Sequence, residues 1–246
     1  MITENFVIIL DLPVTLAMSK FLKGYTFPYA WNPSHKARVG ILGKHSPGNE
    51  VIWCEVDPCY VFHIANAFES AEGIVTMDLV ASPTMFDQNQ LGPSIDHSVF
   101  ERWIVDLEVK RVSREVLDST KQEFPRIDDR YTGIKNRWAW TVQMLPTGTG
   151  DFCPGNKLIR HDLRYGQRAF HDFGEGKLAS EFAFVPRSVD APEGDGWLMG
   201  YVVDSAAKTS ELVIIDTKNF EGDPVACVLI PHAIPLGFHG NWLPAD

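Results

Sequence analysis

The chain has 246 residues, of which 45% are hydrophobic and 22% charged, and its formal net charge is −10. This composition is typical of a globular protein rather than a disordered one. The acidic balance, without a basic stripe, argues against a nucleic-acid partner. The four cysteines are Cys54, Cys59, Cys153 and Cys227. They form no Cys-x-x-Cys pair and are sparse for a disulfide scaffold, which favours a reducing, cytoplasmic compartment. No signal peptide is recognised, and no apolar run reaches the ~18 residues of a membrane span.

The first predicted strand, at residues 5–12, is almost continuously apolar. Chain starts are usually loose and polar, so this start suggests that part of a sheet comes before it. Residues 14–22 are predicted to form a short helix, the main helical candidate in the chain. An aromatic, proline-punctuated loop follows at residues 27–33.

Short strands separated by turns account for most of the remaining chain. Residues 51–56 and 60–69 are predicted to form a hairpin, residues 82–98 a long loop and residues 146–155 a turn region. So many strands with almost no helix predict an all-β protein. Further strands are predicted at 37–42, 73–81, 100–109, 111–117, 123–127, 137–144, 157–163, 168–173, 182–185, 196–204, 211–216 and 225–231.

Three of the predicted strands end in aspartate, at Asp106, Asp162 and Asp216, which lie 56 and 54 residues apart. After each aspartate come a turn and another strand. A repeat of this length favours a β-propeller blade over a sandwich, with coincidence as the alternative. At about 55 residues per blade the chain holds about four to five blades, and propellers close at about 4–8. We therefore expect a partial β-propeller, part of a larger ring.

His63 lies in the aromatic and β-branched strand predicted at residues 60–69. Side chains alternate faces along a strand, so His63 is expected to share a face with Val61 and Ala65. An imidazole among small apolar neighbours is either a hydrogen-bonded core residue or a metal ligand. From this strand alone, the core interpretation is preferred. His239 resembles His63, since each follows a phenylalanine; the others are predicted to be surface residues (His35, His45, His97, His161 and His171) or structural (His232).

Five short motifs follow one another along the chain, at residues 3–13, 62–69, 123–126, 180–187 and 235–240. Residues 62–69 read Phe-His-Ile-Ala-Asn-Ala-Phe-Glu, and residues 235–240 read Pro-Leu-Gly-Phe-His-Gly. Together with Glu-Phe-Pro-Arg at 123–126, these motifs resemble those of the carotenoid cleavage oxygenases. That family includes lignostilbene dioxygenases and the retinoid isomerase.

The resemblance implies a seven-bladed β-propeller that holds one non-haem Fe(II) through four histidines. It implies that His63 and His239 are the third and fourth ligands, and that Glu123 and Glu181 accept hydrogen bonds from ligand imidazoles. Without the resemblance, both glutamates would be interpreted as ordinary strand-edge carboxylates. The first two ligands of the family lie upstream of the matching segment. Residues 1–246 are therefore expected to be the C-terminal portion of the propeller, as one incomplete domain.

The activity implied by the resemblance is cleavage of a conjugated alkene C=C bond by O₂, which gives two carbonyl products. The implied partners are an apolar conjugated small molecule, of apocarotenoid or stilbene type, and a membrane surface contacted transiently by the full-length protein. Two imidazoles alone hold Fe(II) weakly, so the activity is expected to belong to a longer parent. The alternatives are a non-catalytic β-propeller fragment that acts as a binding scaffold, and a hydrolase, for which no Gly-x-Ser-x-Gly elbow is present.

Overall fold

The computed structural model describes residues 1–87, 97–145 and 153–243. The predicted loop at 82–98 and turn region at 146–155 fall partly outside the described residues. The described residues form two compact units. One contains Met1–Glu123, apart from 88–96, and Thr132–Lys135; the other contains Phe124–Tyr131, Asn136–Leu145 and 153–243.

Strands dominate both units, because β-branched and aromatic residues recur in short runs between turns. In the first unit they are β1 (Phe6–Asp11), β2 (Val14–Leu16), β3 (Tyr29–Trp31), β4 (Arg38–Gly43), β5 (Ile52–Glu55), β6 (Tyr60–Ala71), β7 (Ile74–Ser82), β8 (Val99–Asp106) and β9 (Arg111–Asp118), with the helix α1 (Met18–Leu22) and a 3₁₀ turn at Gly48–Glu50.

The chain passes from the first unit to the second within β10 (Gln122–Arg126). Seven strands follow in the second unit: β11 (Trp138–Met144), β12 (Pro154–Asp162), β13 (Gln167–Asp172), β14 (Lys177–Pro186), β15 (Gly196–Asp204), β16 (Thr209–Asp216) and β17 (Ala226–Ile230). Two 3₁₀ turns accompany them, at Asp129–Tyr131 and Thr217–Asn219. None of the helices in the described ranges is long and apolar enough to cross a membrane.

Three groups of four strands run in chain order, namely β6–β9, β10–β13 and β14–β17. The last two are separate four-stranded sheets, whereas β6–β9 belongs to a seven-stranded sheet that continues from β9 through β5 and β4 to β1. A four-stranded unit of this kind is the blade of a β-propeller. Each aspartate of the predicted repeat ends the third strand of its group, and its carboxylate accepts backbone N–H groups of the following turn. The repeat therefore reflects a turn that recurs at the same place in each sheet.

Strand β5 pairs with β4 and β9, and β6 pairs with β7. The predicted hairpin between residues 51–56 and 60–69 is therefore wrong. Hairpin turns favour residues such as Asn-Gly, whose backbone reaches positive φ. The connection here contains Asp57-Pro58, and proline fixes φ near −65°.

The predicted helix at residues 14–22 is correct only in its second half. Strand β2 pairs with β3, from Val14↔Trp31 to Leu16↔Tyr29, and α1 follows. Val14 and Thr15 are β-branched, which favours the strand over the helix.

Candidate metal centre

His63 lies on a strand with an irregular register. The pairing of β6 with β7 shifts between Val61 and Ile64 and again between Ile64 and Asn66. Such bulges re-aim side chains, so the regular alternation predicted for this strand is wrong around His63. The His63 side chain is 27% exposed, which places it at the edge of the interior rather than within an apolar core.

The His63 imidazole faces a buried carboxylate. Its Nδ1 lies 2.7 Å from Oε2 of Glu123, whose side chain is 4% exposed. An ionised carboxylate only accepts hydrogen bonds, so Nδ1 carries the proton and donates it. Nε2 then keeps the lone pair that a metal ion requires. The pair is what the resemblance implies for a ligand histidine and the glutamate that orients it.

His239 faces Glu181 in a looser version of the same pairing. Its Nδ1 lies 3.4 Å from Oε1 of Glu181, and the His239 side chain is 55% exposed. The other carboxylate oxygen of Glu181 accepts the backbone N–H of Gly240 at 3.0 Å. Glu181 is buried. Its two carboxylate oxygens contact the segment that carries His239 at two points, the imidazole of His239 and the backbone of Gly240.

The donor chemistry of both pairs fits iron. A ligand histidine usually donates its second N–H to a carboxylate, which fixes the ring and raises its basicity. Imidazole nitrogen is also a suitable ligand for iron. Within residues 1–87, 97–145 and 153–243, no group of three or more His, Cys, Asp or Glu side chains could hold a metal ion. His63 and His239 as iron ligands stay a prediction.

Two further residues of the 62–69 motif form hydrogen bonds with neighbouring segments of the chain. Asn66 is fully buried; its Nδ2 donates to the Ile134 carbonyl at 2.8 Å, and its Oδ1 accepts the Gly133 N–H at 3.0 Å. Glu69 accepts hydrogen bonds from the Thr3 hydroxyl and from the backbone and side chain of Asn5. The motif therefore combines the His63 position with residues that anchor the strand around it.

An aromatic cluster adjoins His63 and was not predicted from the sequence. Its members come from the β2–β3 region, from β6 and from the turn after β7, so sequence spacing does not connect them. The Phe62 ring lies 6.1 Å from the imidazole of His63, centroid to centroid, and packs 4.8 Å from Tyr60. The aromatic cluster consists of Phe27, Tyr29, Tyr60, Phe62 and Phe86, and neighbouring rings lie at centroid distances up to 6.5 Å.

The other histidines divide differently from the prediction. His161 and His171 are buried, not at the surface. His161 Nε2 lies 3.1 Å from the Thr141 hydroxyl, and His171 Nδ1 donates to the Phe220 carbonyl at 2.7 Å. Each imidazole therefore has a hydrogen-bond partner inside the second unit. The polar residues near them in the sequence did not indicate that these two histidines are buried. His35 is half-buried beside Asp11, while His45, His97 and His232 are exposed.

A family model described as retinal pigment epithelial membrane protein matches residues 1–244. The chain belongs to this family, the carotenoid cleavage oxygenases. The carotenoid cleavage oxygenase of Mycobacterium tuberculosis is 30% identical over 291 residues, which cover 99% of this chain and 57% of the relative. The isoeugenol monooxygenase of Pseudomonas nitroreducens is 30% identical over 257 residues, 99% of this chain and 53% of the relative.

Solved carotenoid cleavage oxygenases share the fold. Cobalt-substituted Synechocystis ACO superimposes with a TM-score of 0.87 at 25% identity, over 99% of this chain and 52% of the other. The lignostilbene dioxygenase of Pseudomonas brassicacearum gives 0.86 at 25% identity, over 99% and 54%. The all-β, β-propeller prediction is confirmed. The chain spans about half the length of the relatives it matches.

Proposed function

We propose that this chain carries two iron ligands, His63 and His239, of an Fe(II)-dependent dioxygenase. The intact enzyme cleaves the C=C bond of a conjugated apocarotenoid or stilbene-type substrate into two carbonyl products. The observation that carries the proposal is the 2.7 Å contact between His63 Nδ1 and the buried Glu123. The printed names of the relatives, which include carotenoid and lignostilbene cleavage, support oxidative attack on an alkene.

Within this proposal the residues of the chain orient the ligands. Glu123 and Glu181 hold the imidazole rings through Nδ1 and offset part of the charge of the metal. When bound, iron supplies the activation of O₂ that side chains alone do not provide. The cobalt-substituted form of a solved relative supports a metal site in that protein, and by family membership in this one.

The aromatic cluster supports an apolar conjugated substrate. Flat rings beside His63 offer stacking surfaces for a polyene or a stilbene. Phe86 is buried, while Phe27, Tyr29 and Phe62 are partly exposed, so the cluster has both a packed base and an open side. We assign the substrate contact of the first unit to this cluster.

An exposed apolar patch supports transient contact with a membrane surface, from which an apolar substrate would be taken up. The patch is formed by Leu16, Met18, Phe21 and Leu22, which are 54%, 57%, 57% and 77% exposed. No residue of α1 is buried. The four side chains come from seven consecutive residues, and exposed apolar patches mark interaction surfaces. The described cysteines are free thiols, which supports a reducing, cytoplasmic compartment.

The ligand assignment is tested in the longest natural form of the chain, by comparing the wild-type protein with His63→Ala and His239→Ala. Iron content is measured by mass spectrometry, and cleavage is measured with a stilbene and an apocarotenal, with ¹⁸O₂ to trace oxygen into both carbonyls. We expect each substitution to reduce iron content and cleavage by at least ~100-fold with an unchanged circular dichroism spectrum, because a ligand is lost. His45→Ala, at an exposed histidine, is the matched control.

The outcomes separate the enzyme from its alternative. Cleavage retained in His63→Ala or His239→Ala would refute the ligand assignment. A folded wild-type protein, in the longest natural form of the chain, that holds no iron would instead favour the binding scaffold. The observation that favours the scaffold is the lack of a three-ligand group within the described part of the chain.

A further inference from the structure

The segment that carries His239 has no helix or strand of its own. Residues 231–243 follow β17 and are largely exposed. The position of His239 therefore depends on contacts with side chains from elsewhere in the second unit. The Ser210 hydroxyl accepts the Ile234 N–H at 3.0 Å, and Glu181 accepts the Gly240 N–H.

The guanidinium group of Arg126, on β10, forms hydrogen bonds with several groups in and next to this segment. Its Nη1 donates to the carbonyl of Gly240 at 2.9 Å and to Oε2 of Glu181 at 3.2 Å. Its Nη2 donates to Oδ1 of Asn241 at 3.2 Å and lies 3.4 Å from Asp129. The Arg126 side chain is 17% exposed, and its bond to Glu181 is partly buried, whereas its partners Asp129, Gly240 and Asn241 are exposed. A planar guanidinium with five donors is suited to such divergent acceptors.

Phe124, two residues earlier on β10, contacts the same segment. Its ring lies edge-on to the imidazole of His239 at 5.9 Å and 6.3 Å from the ring of Phe238. Phe124 is buried and has a φ of 54°, in the left-handed region that a bulky residue rarely occupies. Backbone conformations of this kind persist where surrounding contacts over-determine them. Strand β10 thus presents two side chains to residues 238–241.

We propose that Arg126 is a positioning residue for His239. It binds the Glu181 carboxylate that faces the imidazole, and it binds the backbone and side chain of the two residues that follow. Since His239 itself lies 3.4 Å from Glu181 and is more than half exposed, its direct contact with that carboxylate is weak. The hold on Gly240 and Asn241 therefore contributes to where the imidazole lies, together with the contact with Phe124. Only the consequence for metal binding rests on the proposed function.

Amide hydrogen exchange in residues 236–243 measures how firmly Arg126 holds this segment, and it requires no metal. The Gly240 amide is bonded to Glu181, and Arg126 binds both residues. In Arg126→Met we expect a peptide covering residues 236–243 to exchange at least ~10-fold faster than in the wild type, because an ordered amide opens more often. Arg126→Lys keeps the charge but loses the planar fork, so an intermediate rate is expected.

Arg187→Met is the matched control, because Arg187 is also partly buried and binds two carboxylates of the same unit, Asp195 and Asp216. It should leave exchange in residues 236–243 unchanged. Wild-type exchange in Arg126→Met would overturn the proposal. Equal acceleration in Arg187→Met would also overturn it, since the effect would then be general loosening.

A titration with Co(II) alone separates this inference from the proposed function. In the longest natural form of the chain, we expect Arg126→Met to bind Co(II) about 10-fold more weakly than the wild type, the lower end of the range found for residues that orient ligands. Faster exchange with unchanged Co(II) affinity would support the positioning role and refute His239 as a ligand. Unchanged exchange together with weaker Co(II) binding would overturn the positioning role and leave the ligand assignment intact.

Discussion

At the scale of single residues, the two candidate ligands differ in how firmly they are held. His63 is 27% exposed and lies 2.7 Å from its carboxylate, whereas His239 is 55% exposed and lies 3.4 Å from its own. A short contact with a buried charged acceptor is the stronger of the two. Glu123 should therefore contribute more to the orientation of its histidine than Glu181 does.

Substitution of the two glutamates should reveal this difference. We expect Glu123→Leu to weaken Co(II) or Fe(II) binding by about 10–100-fold, because the His63 ring loses its acceptor and its fixed tautomer. Glu181→Leu should have a smaller effect through the same mechanism. Isothermal titration with each metal measures both constants, and Glu72→Leu, at an exposed glutamate in a turn, serves as the control. Equal losses for the two substitutions would show that the contact distances do not decide the orientation.

Part of this candidate site could be predicted from the sequence, and the rest could not. His63, His239, Glu123 and Glu181 were named because short motifs keep their order along the chain. The role of Arg126 was not visible, because its partner Gly240 lies 114 residues away and the contact exists only in the fold. The left-handed Phe124 was equally hidden, since nothing in its local sequence requires a positive φ.

At the scale of elements, the aspartate at the end of each third strand explains why the repeat was detectable. A carboxylate that binds the amides of a turn is needed at one place in each sheet, so it recurs at one spacing. Strand partners were harder to predict. The hydrophobic pattern identified β5 and β6 as strands, but it does not say which strand lies beside which. The hairpin prediction failed because pairing with β4 and β9 satisfies the edges of β5 instead.

The aspartate of the second repeat, Asp162, predicts a pH dependence of stability. Burial opposes its ionisation, but hydrogen bonds from Arg137 and from the backbone N–H of Arg164 outweigh burial and lower its pKa. The folded protein then binds this proton less readily than the unfolded chain does. The stability gained is complete above the ordinary pKa of aspartate and is lost as pH falls through the lower, folded pKa.

Asp162→Asn should therefore destabilise the protein most near neutral pH. We expect a loss of about 1.5–3 kcal/mol at pH 7, the scale of a hydrogen bond to a charged group, and a smaller difference near pH 3. Urea unfolding at both pH values measures it, with Asp190→Asn, at an exposed aspartate, as the control. A deficit of the same size at both pH values would show that ionisation of Asp162 contributes nothing.

At the scale of the whole molecule, the family match runs over residues 1–244, yet the chain spans about half the length of its relatives. The propeller class was predictable, because blades repeat and their strand ends therefore recur at a regular spacing along the sequence. The iron chemistry is different, since two imidazoles are too few for a tight Fe(II) site. The proposed activity therefore requires ligands beyond His63 and His239.

Net charge and the apolar patch together predict how the protein meets a membrane. The net charge of −10 belongs to the whole chain, whereas Lys20 and Lys23 lie in and next to α1. Attraction and repulsion by anionic lipid therefore oppose each other at the apolar patch, and the proposed contact rests on burial of its side chains. We expect binding to phosphatidylcholine vesicles that changes little with salt and little with added phosphatidylserine. Replacing Phe21 and Leu22 together by glutamate should lower the vesicle-bound fraction at least ~10-fold, since each side chain contributes about 1.5–3 kcal/mol when fully buried.

Vesicle co-sedimentation measures this binding, and Val189→Glu provides the control. Val189 is 82% exposed, as accessible as the residues of α1, but it is not one of the four side chains of the apolar patch. Val189→Glu adds a charge at an equally exposed apolar position without removing apolar area from the patch, so its binding should stay close to that of the wild type. Equal binding by the Phe21 and Leu22 double variant would assign the membrane contact to another surface. Binding that depends strongly on salt or on phosphatidylserine would contradict the argument, because charge rather than apolar burial would then dominate the contact.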